Sequence, residues 1–99
     1  MDPNATPLNE LRRAIDEIDS RLAELLNERA RLAIKIGRAK SQMGAPLVAP
    51  EREVQVLERV AQESRGPLRQ DDLRRIFEAI IAASAALERD PPPSMNDRQ

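Results

Sequence analysis

Apolar residues recur along the first half of the chain at spacings that alternate between four and three. They are Leu11, Ile15, Ile18, Leu22 and Leu25, then Leu32, Ile36 and Met43. This is the coiled-coil period, and it predicts one long amphipathic helix. Between Pro7 and Met43 the only residue that weakens a helix is Gly37. A helix of that span is about 54 Å long. Thr6 is a suitable N-cap, Pro7 suits the first helical position, and Glu10 complements the positive end of the helix dipole. Gly44 supplies a C-cap and Pro46 forbids continuation.

Two shorter helices are predicted beyond this point. Gly44 to Ala49 is a short connection, and Pro50 opens a second helix that runs to about Ser64. Its inward positions are expected to be Val54, Leu57, Val60 and Ala61, and Arg65-Gly66-Pro67 ends it. A third helix starts between Leu68 and Asp72, with the two Asp residues in its first turn. Its stripe reads Leu73, Ile76, Phe77, Ile80 and Ile81, then Ser84, Leu87 and Glu88, until Asp90-Pro91-Pro92-Pro93 stops it. The expected layout is a flexible N-terminus over 1–6, one all-α domain over 7–90 and a disordered Pro-rich tail over 91–99.

The long stripe is interrupted by charge. Position 29 falls on it between Leu25 and Leu32, and is Arg29. Lys40 lies almost three whole turns further on and so points the same way. A buried charge without a partner is costly, so these two cations need a carboxylate from another helix or a bound anion. Ser84 and Glu88, one turn apart, are polar on the stripe of the third helix. With Arg12, Arg52 and Glu53 beside the stripes, the inward-facing polar set holds four cations against two carboxylates. Singly, each has an ordinary structural reading as an interhelical ion pair, a small filler or a solvated residue. Together they suit a small dianion, because Arg presents a planar fork to a carboxylate.

Composition narrows the chemistry. The 99 residues include 16 basic and 17 acidic side chains, three Gly, one Phe, and no Trp, Tyr, Cys or His. This is the profile of a single all-helical domain. A helix of ~54 Å overreaches a compact domain with a radius of gyration of about 13 Å, and a homodimer is the expected remedy. A net charge of −1 and the lack of stacking aromatics give no reason to expect nucleic acid as a partner. Without Cys or His there is no thiolate nucleophile, no imidazole base and no thiolate or imidazole metal ligand. No metal or cofactor is expected. No stretch is apolar enough for a membrane span or signal peptide, so a cytoplasmic protein with no membrane partner is expected.

Four stretches then carry a resemblance: Leu11-Arg12-Arg13-Ala14-Ile15-Asp16-Glu17-Ile18-Asp19, Leu25-Leu26-Asn27-Glu28-Arg29, Ile36-Gly37-Arg38-Ala39-Lys40 and Pro50-Glu51-Arg52-Glu53. In this order and spacing they resemble the all-helical AroQ-class chorismate mutases, over roughly Leu8 to Glu88. The resemblance implies an intertwined homodimer of three-helix protomers with two active sites. It implies conversion of chorismate to prephenate, a Claisen rearrangement on the route to phenylalanine and tyrosine. By the same resemblance, Arg29 binds one substrate carboxylate, and Arg12, reaching across from the partner chain, binds the other. Arg52 supports that carboxylate end. Lys40 donates to the ether oxygen, Glu53 accepts from the ring hydroxyl and Ser84 lines the site. Glu88 stands where many members have Gln as a second donor to the ether oxygen.

The reaction is unimolecular and pericyclic and needs neither nucleophile nor general base, so the lack of His and Cys does not count against it. Two departures stand out. Ala49 occupies a place where some mutases have an Asp near the ring hydroxyl, and Glu88 donates a hydrogen bond only when protonated. Activity is therefore expected to fall as pH rises through the Glu88 titration. Two other functions fit the frame: an isochorismate pyruvate-lyase, whose pattern has an apolar residue at the place of Glu53, and a non-catalytic regulatory or dimerisation module.

Overall fold

The computed structural model describes residues 6–93. Among them it contains three helices and no strand: α1, Pro7–Met43; α2, Pro50–Glu63; and α3, Gln70–Arg89. The expected flexible segment up to position 5 and the tail from 94 onward lie outside the described residues.

The helix ends follow from local chemistry. The Asn9 amide donates to Thr6 Oγ1 at 3.1 Å, so Thr6 is the N-cap of α1, as expected. Gly44 takes a left-handed conformation with φ of 67°, which lets the chain turn while its own amide and that of Ala45 bond the last carbonyls of α1. α2 stops one residue short of the expected end, with Ser64 extended as its C-cap. Its terminal carbonyls gain a donor from α3, where Gln70 Nε2 bonds Ala61 O at 3.1 Å.

α3 is the central element. It packs on both α1 and α2, while α1 and α2 do not pack directly on each other. Arg74 ties α3 to α2 by donating from Nε to Glu58 Oε1 at 3.2 Å, and within α3 its Nη1 donates to Asp71 at 2.8 Å. The hydrogen bond to Glu58, foremost, pushes the Arg74 guanidinium above its ordinary pKa.

The apolar stripe of α1 is not the face that α1 buries. Leu11, Ile15, Leu25 and Leu32 stay between 57% and 65% exposed. The buried residues on α1 are Ala33 and Gly37, small residues beside the stripe that let α3 approach closely. Buried apolar side chains are limited to Ala33, Val56 and Ala61 among the described residues. The accessible surface is 8217 Å², against about 5,700 Å² for a compact monomer of this size. The radius of gyration is 17.9 Å and the extents are 62 × 38 × 16 Å.

Two expected inward positions are corrected. Val54 is exposed, and the inner face of α2 runs instead through Glu53, Val56, Leu57, Val60 and Ala61. These positions follow the helical period, but the first of them is a carboxylate, so choosing apolar residues selects Val54 in its place. Ile76 of α3 is exposed as well.

Candidate active site

The helices diverge around a cleft of about 560 Å³, within the range of small-molecule sites. α1 supplies Arg29, Leu32, Ala33, Ile36 and Lys40, and the connection after it supplies Leu47, Val48 and Ala49. α2 contributes Arg52, Glu53 and Val56 from its first two turns, and α3 contributes Ile81, Ser84, Ala85, Glu88 and Arg89. Six of the seven residues singled out from the sequence therefore meet in one place.

Two cross-helix contacts organise the cleft. Arg29 Nη1 donates to Ser84 Oγ at 2.5 Å, and the Ser84 hydroxyl donates in turn to Ile80 O at 3.0 Å. Ser84 is the one buried polar residue among the described residues, and its hydroxyl is satisfied on both counts. Its neutral oxygen aims the guanidinium without cancelling the charge. Further along, Lys40 Nζ donates to Glu88 Oε1 at 2.9 Å and to the Leu47 carbonyl at 2.9 Å. These bonds use two of the three ammonium protons and leave one for a ligand. The Lys40 and Glu88 side chains are 23% and 16% exposed, so the pair lies within the cleft wall. Glu88 therefore turns inward, not out to solvent.

Arg52, Glu53 and Arg89 line the same cleft, and their side chains make no hydrogen bond or ion pair among the described residues. The lining as a whole carries four cations, Arg29, Lys40, Arg52 and Arg89, against the carboxylates Glu53 and Glu88. The excess of two positive charges matches a dianion. Arg89 was not among the residues picked out from the sequence. The available signal was its spacing, one turn beyond Ala85 on the same side of α3. The carbonyl of Leu47 was also missed, since no side-chain pattern marks a backbone acceptor.

Arg12 is the exception. It lies on an exposed stretch of α1, 17 residues from Arg29, or about 25 Å along the helix axis. It does not line the cleft of its own protomer.

The family profile described as chorismate mutase type II matches residues 11–89. A chorismate mutase from Methanocaldococcus jannaschii is 32% identical over 83 residues, covering 83% of this chain and 84% of that protein. A bifunctional chorismate mutase/prephenate dehydratase from Aquifex aeolicus (strain VF5) is 41% identical over 86 residues, covering 83% of this chain. The chain spans only 24% of the length of that bifunctional protein. A solved structure of chorismate mutase (form II) from Thermus thermophilus superimposes with a TM-score of 0.86 at 32% identity, covering 89% of this chain and all of that one. By the extent of the profile match and by these likenesses in sequence and fold, the chain belongs to the chorismate mutase type II family.

Proposed function

We propose that the chain catalyses the rearrangement of chorismate to prephenate, working as a homodimer in the cytoplasm. The observation that carries this reading is the pairing of Arg29 with Ser84 and of Lys40 with Glu88 along one wall of a cleft with two excess positive charges.

The bound substrate must be folded so that the enolpyruvyl group lies over the ring. One C–O bond then breaks as one C–C bond forms, and no proton is exchanged. Arg29, aimed by Ser84, holds one carboxylate as a charge-assisted fork. Arg52 supports the carboxylate end, and Glu53 accepts from the ring hydroxyl. Lys40 spends its remaining proton on the ether oxygen, which gains negative charge in the transition state. Glu88, when protonated, adds a second hydrogen bond there. Ala49, on the cleft wall, adds no polar group to hydroxyl recognition, which leaves that task to Glu53 and backbone groups.

The dimer is supported by the exposed α1 seam and by the excess of surface over a compact monomer. About 2,500 Å² of excess is of the order that obligate dimers bury. Arg12, remote from its own cleft, is proposed to reach the second carboxylate in the partner's site.

The test is to incubate purified protein separately with chorismate and with isochorismate. Prephenate from chorismate, with no pyruvate from isochorismate, is expected. Pyruvate release from isochorismate would establish the lyase instead, and inertness toward both would leave a non-catalytic module.

A further inference from the structure

The Lys40–Glu88 pair spans the crossing of α1 and α3, and the residue beneath that crossing is a glycine. A Cβ built on Gly37 would lie 2.8 Å from the carbonyl oxygen of Glu88, 2.9 Å from its Cα and 3.2 Å from its carbonyl carbon. All three are backbone atoms, which cannot swing aside as a flexible side chain does. Gly37 lies within α1 and has no positive φ, so its backbone conformation does not require glycine. Glycine is also a poorer helix former than alanine. Close approach is the physical reason left for glycine at this position.

We propose that Gly37 is a positioning residue, whose bare Cα lets the Glu88 backbone settle on α1 at the depth that places the Glu88 carboxyl beside Lys40. The proposal rests on the mutase reading of the same cleft. Lys40 is three residues beyond Gly37 on the same side of α1, and the backbone seated on Gly37 carries the carboxyl that Lys40 bonds at 2.9 Å. Any separation forced at Gly37 therefore reaches the pair directly. The Arg29–Ser84 bond lies about two turns back along α1 and one turn back along α3, with buried Ala33 between. It is shielded from the same displacement.

Gly37→Ala tests this. The added methyl requires the last turn of α3 to retreat from α1. A misplacement of about 1 Å near reacting groups can lower a rate by about 100-fold. The expected result is a kcat for chorismate lowered about 10- to 100-fold, with KM within about threefold of wild type, since the Arg29 anchor is left in place. In a Glu88→Ala background the same substitution is expected to cause no further loss, because the group being positioned is gone. An equal loss in both backgrounds would overturn the proposal and leave Gly37 a general packing residue. A Gly37→Ala enzyme with wild-type kcat would overturn it too.

Should Gly37→Ala fail to fold by circular dichroism, Glu88→Asp reads the same dependence on reach with Gly37 intact. A kcat lowered at least tenfold supports the proposal. A kcat near wild type overturns it, because a pair that tolerates the loss of a methylene does not need its spacing fixed. Absence of prephenate formation by the wild-type protein would be a failure of the mutase reading itself, and is seen before any variant is made.

Discussion

Lys40 and Glu88, 48 residues apart in sequence, meet across the α1–α3 crossing with Nζ 2.9 Å from Oε1. In this arrangement an ionised Glu88 accepts from Lys40. At the ether oxygen of a bound substrate the same ionised group would repel the charge that develops there, whereas the protonated group would donate. The expected outcome is that kcat, which reports on the substrate complex, falls with rising pH. Glu88→Gln should flatten that limb, because an amide donates at every pH. Superimposable pH–rate profiles for the two proteins would remove Glu88 from the reaction.

The exposed seam of α1 predicts an obligate dimer. Leu22 and Ile18 are about half exposed in the protomer, and burying the rest of each is worth about 1 kcal/mol. A charge at the seam should therefore break the assembly. Sedimentation of wild type is expected to show a dimer at micromolar concentration, and Leu22→Asp to be monomeric and largely unfolded. A stable folded wild-type monomer would contradict this, and with it any role for Arg12 in a neighbouring site.

Arg12 can be placed by complementation. If it serves the partner's cleft, an Arg12→Ala protomer damages its partner's site and a Lys40→Ala protomer its own, so in a heterodimer both lesions fall in one site. Heterodimers then retain one intact site, and random exchange in an equal mixture should restore about a quarter of wild-type activity from two nearly inactive parents. A mixture no more active than its parents would mean that Arg12 does not act in the partner's cleft.

Arg89 stands at the edge of the cleft and is exposed. A solvated cation in that position attracts a dianion but does not hold it tightly. Arg89→Gln is expected to raise KM about two- to fivefold at low salt with kcat unchanged, and the difference should shrink as ionic strength rises. A kcat defect in this variant would mean that Arg89 touches the reacting atoms.

The sequence was informative wherever an element's identity depended on local chemistry. Thr6, Pro7 and Gly44 mark the limits of α1, and the shared phase of Arg29 and Lys40 anticipates that both line one cleft. It misled where function alters the pattern. Glu53 occupies an inward position that an apolar residue would ordinarily fill, so the apolar pattern of α2 points to Val54 in its place. The stripe of α1 was legible as apolar, but its period does not say whether the partner is the same chain or another. Within the protomer, contact passes instead through Ala33 and Gly37, whose small size carries no hydrophobic signal. Gly37 registered as an interruption of a helix, because close approach to Glu88 becomes visible only when α3 is in place.

On the proposed reading, a cationic cleft built on Arg29 and Lys40 performs the rearrangement by clamping the substrate's conformation and stabilising the charge that develops on its ether oxygen. The most direct test of that reading is the steady-state conversion of chorismate to prephenate by wild type and by Lys40→Ala, with circular dichroism confirming that both are folded. Loss of one donor to the developing oxyanion is worth about 3–4 kcal/mol. Prephenate formation by wild type is therefore expected, with a kcat lower by about 100- to 1,000-fold in the variant. A folded Lys40→Ala protein that turns over chorismate near the wild-type rate would contradict that reading.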